Sequence, residues 1–423
     1  MKKSTKDVIV VGFALFAMFF GAGNLIFPPF LGNMVGDRYI LGIIGFVCTG
    51  VGLPLLAIIA ATKGDGTFET MASKIGRKFA VIFATILFIA IGPMLAIPRT
   101  AATTYELAMN PLVPSLTPLI SMIIYFAVNL IFVLKRSSVI DTIGKYLTPS
   151  LIIILSFIII KGIISPIGSI VHTDVNSVLS FSFIEGYQTM DALAGLLFAS
   201  VITNELISKN YSKKELLPMT LKSGGVAIIG LAFIYGGLMF LGAQTSGFEI
   251  SGISKTSLLL LISKTILGNT GTTLIGIAIG LACLTTSIGL LTAGSAFFEK
   301  VSNGKLPYKI NAIVISVISI IIGRLGVDDI VKISGPILSV LYPVTITLIA
   351  TTLANKYIRN IKAVRLGIYT SLIFGILETI PTINLDFILL GDVGFAWLMP
   401  TIVAIVLGYI IFPMSKQEIS DLY

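Results

Sequence analysis

The sequence predicts an all-α polytopic membrane protein, a single domain over residues 1–423 with twelve transmembrane helices. Three observations carry that reading. The chain is 55% hydrophobic and only 12% charged, with a mean hydropathy of +1.00, which no water-facing globular surface can accommodate. Apolar runs of about 20 residues, the length that crosses a bilayer, begin near Val8, Ile40, Phe79, Leu116, Leu147, Phe181, Gly224, Thr272, Ile310, Asp329, Leu366 and Gly394. The basic residues, finally, fall almost entirely on alternate loops.

That last pattern also sets orientation, because Lys and Arg are retained on the cytoplasmic side of short loops. Of the 29 Lys and Arg, all but Arg38, Arg99, Lys161, Lys255, Lys264, Arg324 and Lys332 lie on the side of the two termini. Lys2, Lys3, Lys6, Lys74, Arg77, Lys78, Lys135, Arg136, Lys209, Lys213, Lys214, Lys356, Arg359, Lys362 and Arg365 are among the majority. Both termini are expected to be cytoplasmic, and the net charge of +9 follows from topology without nucleic acid as a partner. The apolar start at Val8 continues past Phe30 with no small-residue cleavage site, so it reads as a retained span and not a signal peptide. A short amphipathic segment at 256–267 is expected between the seventh and eighth spans. Cys48 and Cys283 both fall inside spans, where they are expected to be small buried apolar residues. His172, the only histidine, sits in an external loop and receives no role.

Function concentrates where spans are interrupted. In hydrocarbon an unpaired backbone N–H or C=O costs several kcal/mol, yet the first span carries FFGAGNLIFPPFLG at 19–32 and the sixth carries Glu185, Gly186, Gln188, Thr189, Asp191 and Gly195 at membrane depth. Two interrupted helices, one in each half, point to an inverted-repeat secondary transporter with its site at the midplane. The repeats are expected at about 7–165 and 181–353, with extra helices at about 366–414. In the first break the helix is expected to stop near Phe20 and to resume near Leu25 to Phe27, with Pro28 and Pro29 in its opening turn. The first free N–H groups of the resumed half would then receive a carboxylate. Gly21 and Gly23 permit the turn and a close approach, and Asn24 and the free carbonyls offer hard oxygen ligands. Glycine also serves close helix packing, which is the preferred reading of GNMVG at 32–36.

In span eight, Ala282, Thr285 and Thr286 fall on one helical face, three oxygens without formal charge that suit sodium. The same hydroxyls also bond back to carbonyls one turn earlier in many helices. Asp191 is an intramembrane acid and so a functional candidate: it could meet a substrate ammonium, a sodium ion or a proton. A cap on the restarted helix is compatible with each. Arg99 and Glu106, two turns apart toward the outer end of span three, are a candidate outer gate, with interfacial anchoring as the alternative. Glu185 is a weaker candidate for the same vestibule. An enzyme is excluded as the expectation, since HExxH, GxSxG and any nucleophile–base pattern are missing from the sequence. Repeated filter loops or charged rings, the marks of a channel, are missing too.

GAGNLIFPP at 21–29, IGPMLAIPRTA at 91–101, GYQTMDALAGLLF at 186–198, ACLTTSIGL at 282–290 and FAWLMPT at 395–401 together resemble the branched-chain amino acid:cation symporter family, the bacterial BrnQ-type carriers. The resemblance runs from about Val11 to Thr401. It implies a LeuT-like fold, a 5+5 inverted repeat with broken helices one and six plus two extra helices, in the bacterial cell membrane. It implies uptake of leucine, isoleucine and valine driven by Na+, or by H+ in some members. By motif, Gly21, Ala22, Gly23 and Asn24 resemble the segment that receives the substrate carboxylate, with Asn24 also near a sodium ion. Tyr187, Thr189, Met190, Asp191 and Ala192 match the unwound part of span six that faces substrate. Ala282, Thr285 and Thr286, with the carbonyls of Ala17 and Phe20 opposite, resemble a second sodium site. A proton-coupled carrier of the same fold and a receptor that binds without transporting remain the alternatives.

Overall fold

A computed structural model describes residues 3–63, 67–135, 148–250 and 252–413. Lys2, Arg136 and the expected start of the fifth span at Leu147 lie outside the described residues, as does the chain beyond 413. Every described regular element is helical.

The helices follow the apolar runs. Span one is two pieces, Lys3–Phe19 and Ala22–Val35; span two covers 39–62; span three is Arg77–Leu112; spans four and five are Pro118–Val133 and Thr148–Ile164. Span six is again two pieces, Val178–Tyr187 and Asp191–Ser208. Span seven is Lys213–Ala243, span eight lies within Lys255–Val301, and spans nine to twelve are Tyr308–Gly323, Val327–Leu353, Ile361–Glu378 and Leu398–Ile411. The amphipathic segment before span eight is helical and runs directly into it, turning at Gly268, whose φ of +61° favours a residue without a Cβ.

Large apolar side chains point outward along these helices: Ile82, Ile153, Ile229, Ile321 and Ile410 are each at least 60% exposed. In water such a surface would drive association; against lipid tails it costs nothing. Cys48 belongs to this outward face, contrary to its expected burial, whereas Cys283 is buried.

The interior holds spans one, three, six, seven, eight and ten around a common centre. Close approach there depends on small residues. A Cβ on Gly32 would lie 1.9 Å from the carbonyl oxygen of Met239, and one on Gly242 would lie 1.9 Å from that of Pro29, so the second half of span one touches span seven backbone to backbone. Wide π-type turns at Cys48–Gly52, Ala90–Ala96 and Tyr105–Met109 re-aim side chains inside otherwise continuous spans. The first lets the Thr49 hydroxyl donate to the carbonyl of Phe183 in span six at 2.9 Å; the other two bracket Arg99.

Candidate functional site

The break in span one is shorter than its sequence implies. Helix ends at Phe19 and restarts at Ala22, with extended Gly21 as the capping residue. Asn24 therefore lies in the first turn of the resumed helix and not before it. Pro28 and Pro29, expected in the opening turn, lie inside the helix, where each removes one backbone bond to the preceding turn. The resumed half restarts three residues early because Asn24 closes the turn: its Oδ1 accepts the Gly21 N–H at 3.0 Å, and that N–H also meets the Phe19 carbonyl at 2.9 Å. The Ala17 carbonyl thereby loses its usual donor four residues on.

Span eight supplies what the carbonyl lacks. Thr285 Oγ lies 3.0 Å from the Ala17 carbonyl oxygen and 2.9 Å from that of Ala282. Thr286 Oγ lies 3.2 Å from Ala17 O and 3.1 Å from Met18 O. Five oxygens thus lie together, and two of them, the Ala17 and Met18 carbonyls, meet the two hydroxyls in place of helical donors. That set of oxygens, uncharged and buried, is the chemistry of a small hard cation site. Phe20, expected to contribute its carbonyl, accepts neither hydroxyl; its ring stacks on Phe16 and Tyr235, and it is the Met18 carbonyl that meets Thr286. Asn24, also expected near a cation, has its oxygen committed to Gly21.

Span six breaks at 188–190. Met190 adopts a left-handed conformation with φ of +67°, costly for a residue with a side chain and characteristic of functional sites. It, and not Asp191, is the residue that caps the restarted helix; Asp191 begins the helix proper. The carboxylate of Asp191, 4% exposed, accepts from the Asn24 side-chain amide, which also donates to the Tyr235 hydroxyl of span seven. The two breaks are thereby joined side chain to side chain. The Asp191 N–H meets Thr189 Oγ at 3.3 Å, and that hydroxyl donates to the Gly186 carbonyl at 2.8 Å. Ala192 is fully buried behind them.

Arg99 is at the centre rather than at a gate. Only 2% exposed, it donates to the carbonyls of Gln188 at 2.6 Å and Thr189 at 3.1 Å, and its guanidinium sits 5.5 Å from the centre of the Phe27 ring. Glu106 is occupied elsewhere, accepting the Val327 N–H at 2.9 Å at the start of span ten. Arg99 and Glu106, the two candidate gate residues, thus have separate partners, the carbonyls of span six and the first N–H of span ten. Glu185 Oε2 is buried without a partner among the described residues. His172 is exposed and pairs with Asp37 at 3.0 Å.

Several residues of the centre escaped the sequence reading. Tyr342 in span ten donates to the Tyr187 carbonyl at 2.9 Å and stacks on its ring, centroids 4.0 Å apart. Ser334 donates to the Gln188 side chain at 2.9 Å. Tyr235 and Tyr342 each adjoin a glycine pair or a proline in mid-span, a signal that an aromatic with a polar tip is being held at a crowded place. The Tyr187 ring also borders a cavity of about 450 Å³ lined by Ile184, Pro343, Glu378, Asp386 and Trp397.

A helical bundle with two interrupted spans clasping a buried polar centre defines a membrane transporter of the LeuT-like fold. Solved structures agree: Mhp1, a nucleobase-cation-symport-1 family transporter with bound bromovinylhydantoin, superposes with a TM-score of 0.61 at 14% identity, covering 98% of this chain and 96% of that one. MhsT in complex with L-phenylalanine gives 0.60 at 17% identity, covering 95% and 98%.

Residues 4–415 match the family described as branched-chain amino acid transport protein, and the chain belongs to it. It is 39% identical to the branched-chain amino acid permease BraB of Bacillus subtilis strain 168, over 96% of this chain and 95% of that protein. It is 35% identical to the permease BrnQ of the same strain, over 97% and 98%. The chain is thus a multi-pass transporter and not an enzyme.

Proposed function

We propose that this protein takes up leucine, isoleucine and valine together with Na+ across the bacterial cell membrane, by alternating access, with both termini cytoplasmic. The observation that carries sodium is the oxygen set at the end of the first half of span one. Ala17 and Met18 carbonyls, Thr285 and Thr286 hydroxyls and the Ala282 carbonyl lie within reach of one cation, and among the described residues the hydrogen bonds between span one and span eight all run through them. A sodium ion bound there pulls the two spans together and pre-orders the adjacent break at Gly21–Asn24. The inverted repeats at about 7–165 and 181–353, with 366–414 outside them, are the moving parts of that cycle. The stacked Tyr187 and Tyr342, between the centre and the outer cavity, take the gating role in place of Arg99 and Glu106.

The energetics suffice. One sodium moving through about 100 mV contributes roughly 2.3 kcal/mol, and a tenfold gradient adds about 1.4 kcal/mol. Together they support several-hundredfold accumulation of a zwitterion. One methylene in an apolar pocket discriminates by only about 1–3 kcal/mol, which favours one carrier for all three amino acids. Uptake of labelled leucine into proteoliposomes with an inward sodium gradient tests the reading. Accumulation that follows sodium at fixed pH supports it. Uptake driven by a pH gradient without sodium would move the assignment to a proton-coupled carrier, and saturable binding without accumulation to a receptor.

A further inference from the structure

Two buried ionisable groups at the centre have no oppositely charged group in contact among the described residues. Arg99 is ionised at any physiological pH, yet its hydrogen bonds go to two neutral carbonyls, Gln188 O and Thr189 O. Its Nε–H is buried with no acceptor among the described residues. Among those residues, no ion pair joins it to a carboxylate. Asp191, in the same centre, is held by the neutral amide of Asn24, and among the described residues no cation forms an ion pair with it. A buried charge left uncompensated is strongly unfavourable, so an arrangement that keeps one of each sign near the other but out of contact is built for something that carries both.

The restarted half of span one adds to the positive side. A Cβ on Gly23 would lie 2.8 Å from Arg99 Nη2, so the guanidinium reaches the backbone at the first turn of that helix. The N–H groups of Ala22 and Gly23 there have no helical acceptor.

We infer that Arg99 is the receptor of the substrate carboxylate and Asp191 the receptor of the substrate ammonium, so that a zwitterionic α-amino acid supplies the counter-charge each lacks. This rests on the proposed amino acid transport and names the groups that recognise the substrate's two charged ends. A guanidinium presents paired donors in a plane that matches a carboxylate. With a resident cation at the carboxylate, sodium is required only at the span-one and span-eight oxygens.

The test uses the full-length protein in proteoliposomes. In the wild type, competition against labelled leucine should require 3-methylbutylamine, which lacks the carboxylate, or 2-hydroxy-4-methylpentanoate, which lacks the ammonium, at about 100-fold or more higher concentration than unlabelled leucine. Arg99→Gln should raise the leucine KM by about 100-fold and largely erase the preference for leucine over the amine, while Arg99→Lys, keeping the charge without the fork, should fall between. Sodium chloride should still raise the melting temperature of Arg99→Gln relative to choline chloride, marking an intact sodium site. An amine that competes with the wild type as well as leucine does overturns the inference whether or not the variants fold. So does an Arg99→Gln protein whose leucine KM stays within about twofold of wild type, which would leave Arg99 as a brace for the broken helix alone. Failure of the wild type to take up leucine with sodium would instead strike the transport reading beneath it.

Discussion

Spans one and six face the same structural problem and solve it with different chemistry. Each stops in mid-membrane and leaves terminal carbonyls without helical donors. At span one, the carbonyls of Ala17 and Met18 meet the neutral hydroxyls of Thr285 and Thr286. At span six, the carbonyls of Gln188 and Thr189 meet the guanidinium of Arg99, a cation that never leaves. On the sodium reading proposed above, the difference separates an exchangeable ion from a resident one, and only the first could carry the energy of a gradient.

The largest effect should come from emptying the exchangeable side. Replacing Thr285→Ala with Thr286→Ala removes two of five oxygens, and the sodium concentration for half-maximal leucine uptake should rise by about tenfold or more, read from sodium titrations of proteoliposome uptake. An unchanged sodium dependence would dissolve the contrast between the breaks.

Two glycines sharpen it next, since they stand two residues apart and face opposite partners. A Cβ on Gly23 would strike Arg99 Nη2 at 2.8 Å and the Phe27 ring at 3.1 Å, whereas one on Gly21 would meet Thr286 Oγ at 3.0 Å. Gly23→Ala should therefore raise the leucine KM, by about tenfold. Gly21→Ala should act chiefly on the sodium requirement, by a few-fold. Equal effects of both substitutions on both constants would mean that the breaks do not divide the labour.

Tyr342→Phe keeps the stack on Tyr187 and loses one hydrogen bond to its carbonyl, a loss of about 1 kcal/mol that should lower the maximal rate of uptake several-fold with little change in sodium affinity. The smallest effect belongs to Glu106→Gln. Its bond to the Val327 N–H caps the start of span ten, so stability should fall by about 1 kcal/mol, read as a modestly lower melting temperature, while the constants for leucine and sodium stay put. A shift in either constant would return Glu106 to the gate.

Sequence alone carried the architecture further than the site. Apolar run lengths and loop charges place the spans because the bilayer leaves few alternatives, and Gly21–Asn24 and Glu185–Asp191 advertise the breaks because polar and flexible residues are expensive there. The ends of the breaks were less legible. Asn24 closes its own turn through Gly21, so the helix restarts ahead of Pro28 and Pro29, and local propensity gives no hint of a side chain acting as backbone. Met190 caps the second break in a left-handed conformation that Asp191 was the more natural residue to fill. The placement of Arg99 was hidden for a different reason: its position near one end of span three resembles an interfacial anchor, and its partners, the Gln188 and Thr189 carbonyls, lie in another span. Long-range partners such as Tyr235 and Tyr342 leave almost no mark on a single sequence.

The most direct test is the order of the sodium dependence of leucine uptake at saturating leucine and fixed pH, compared between wild type and the Thr285→Ala, Thr286→Ala double variant. A single sodium site between spans one and eight predicts a simple hyperbola with a Hill coefficient of about 1, displaced to higher sodium in the variant without change of shape. Uptake that proceeds equally well in choline, or a curve identical in the two proteins, would contradict it.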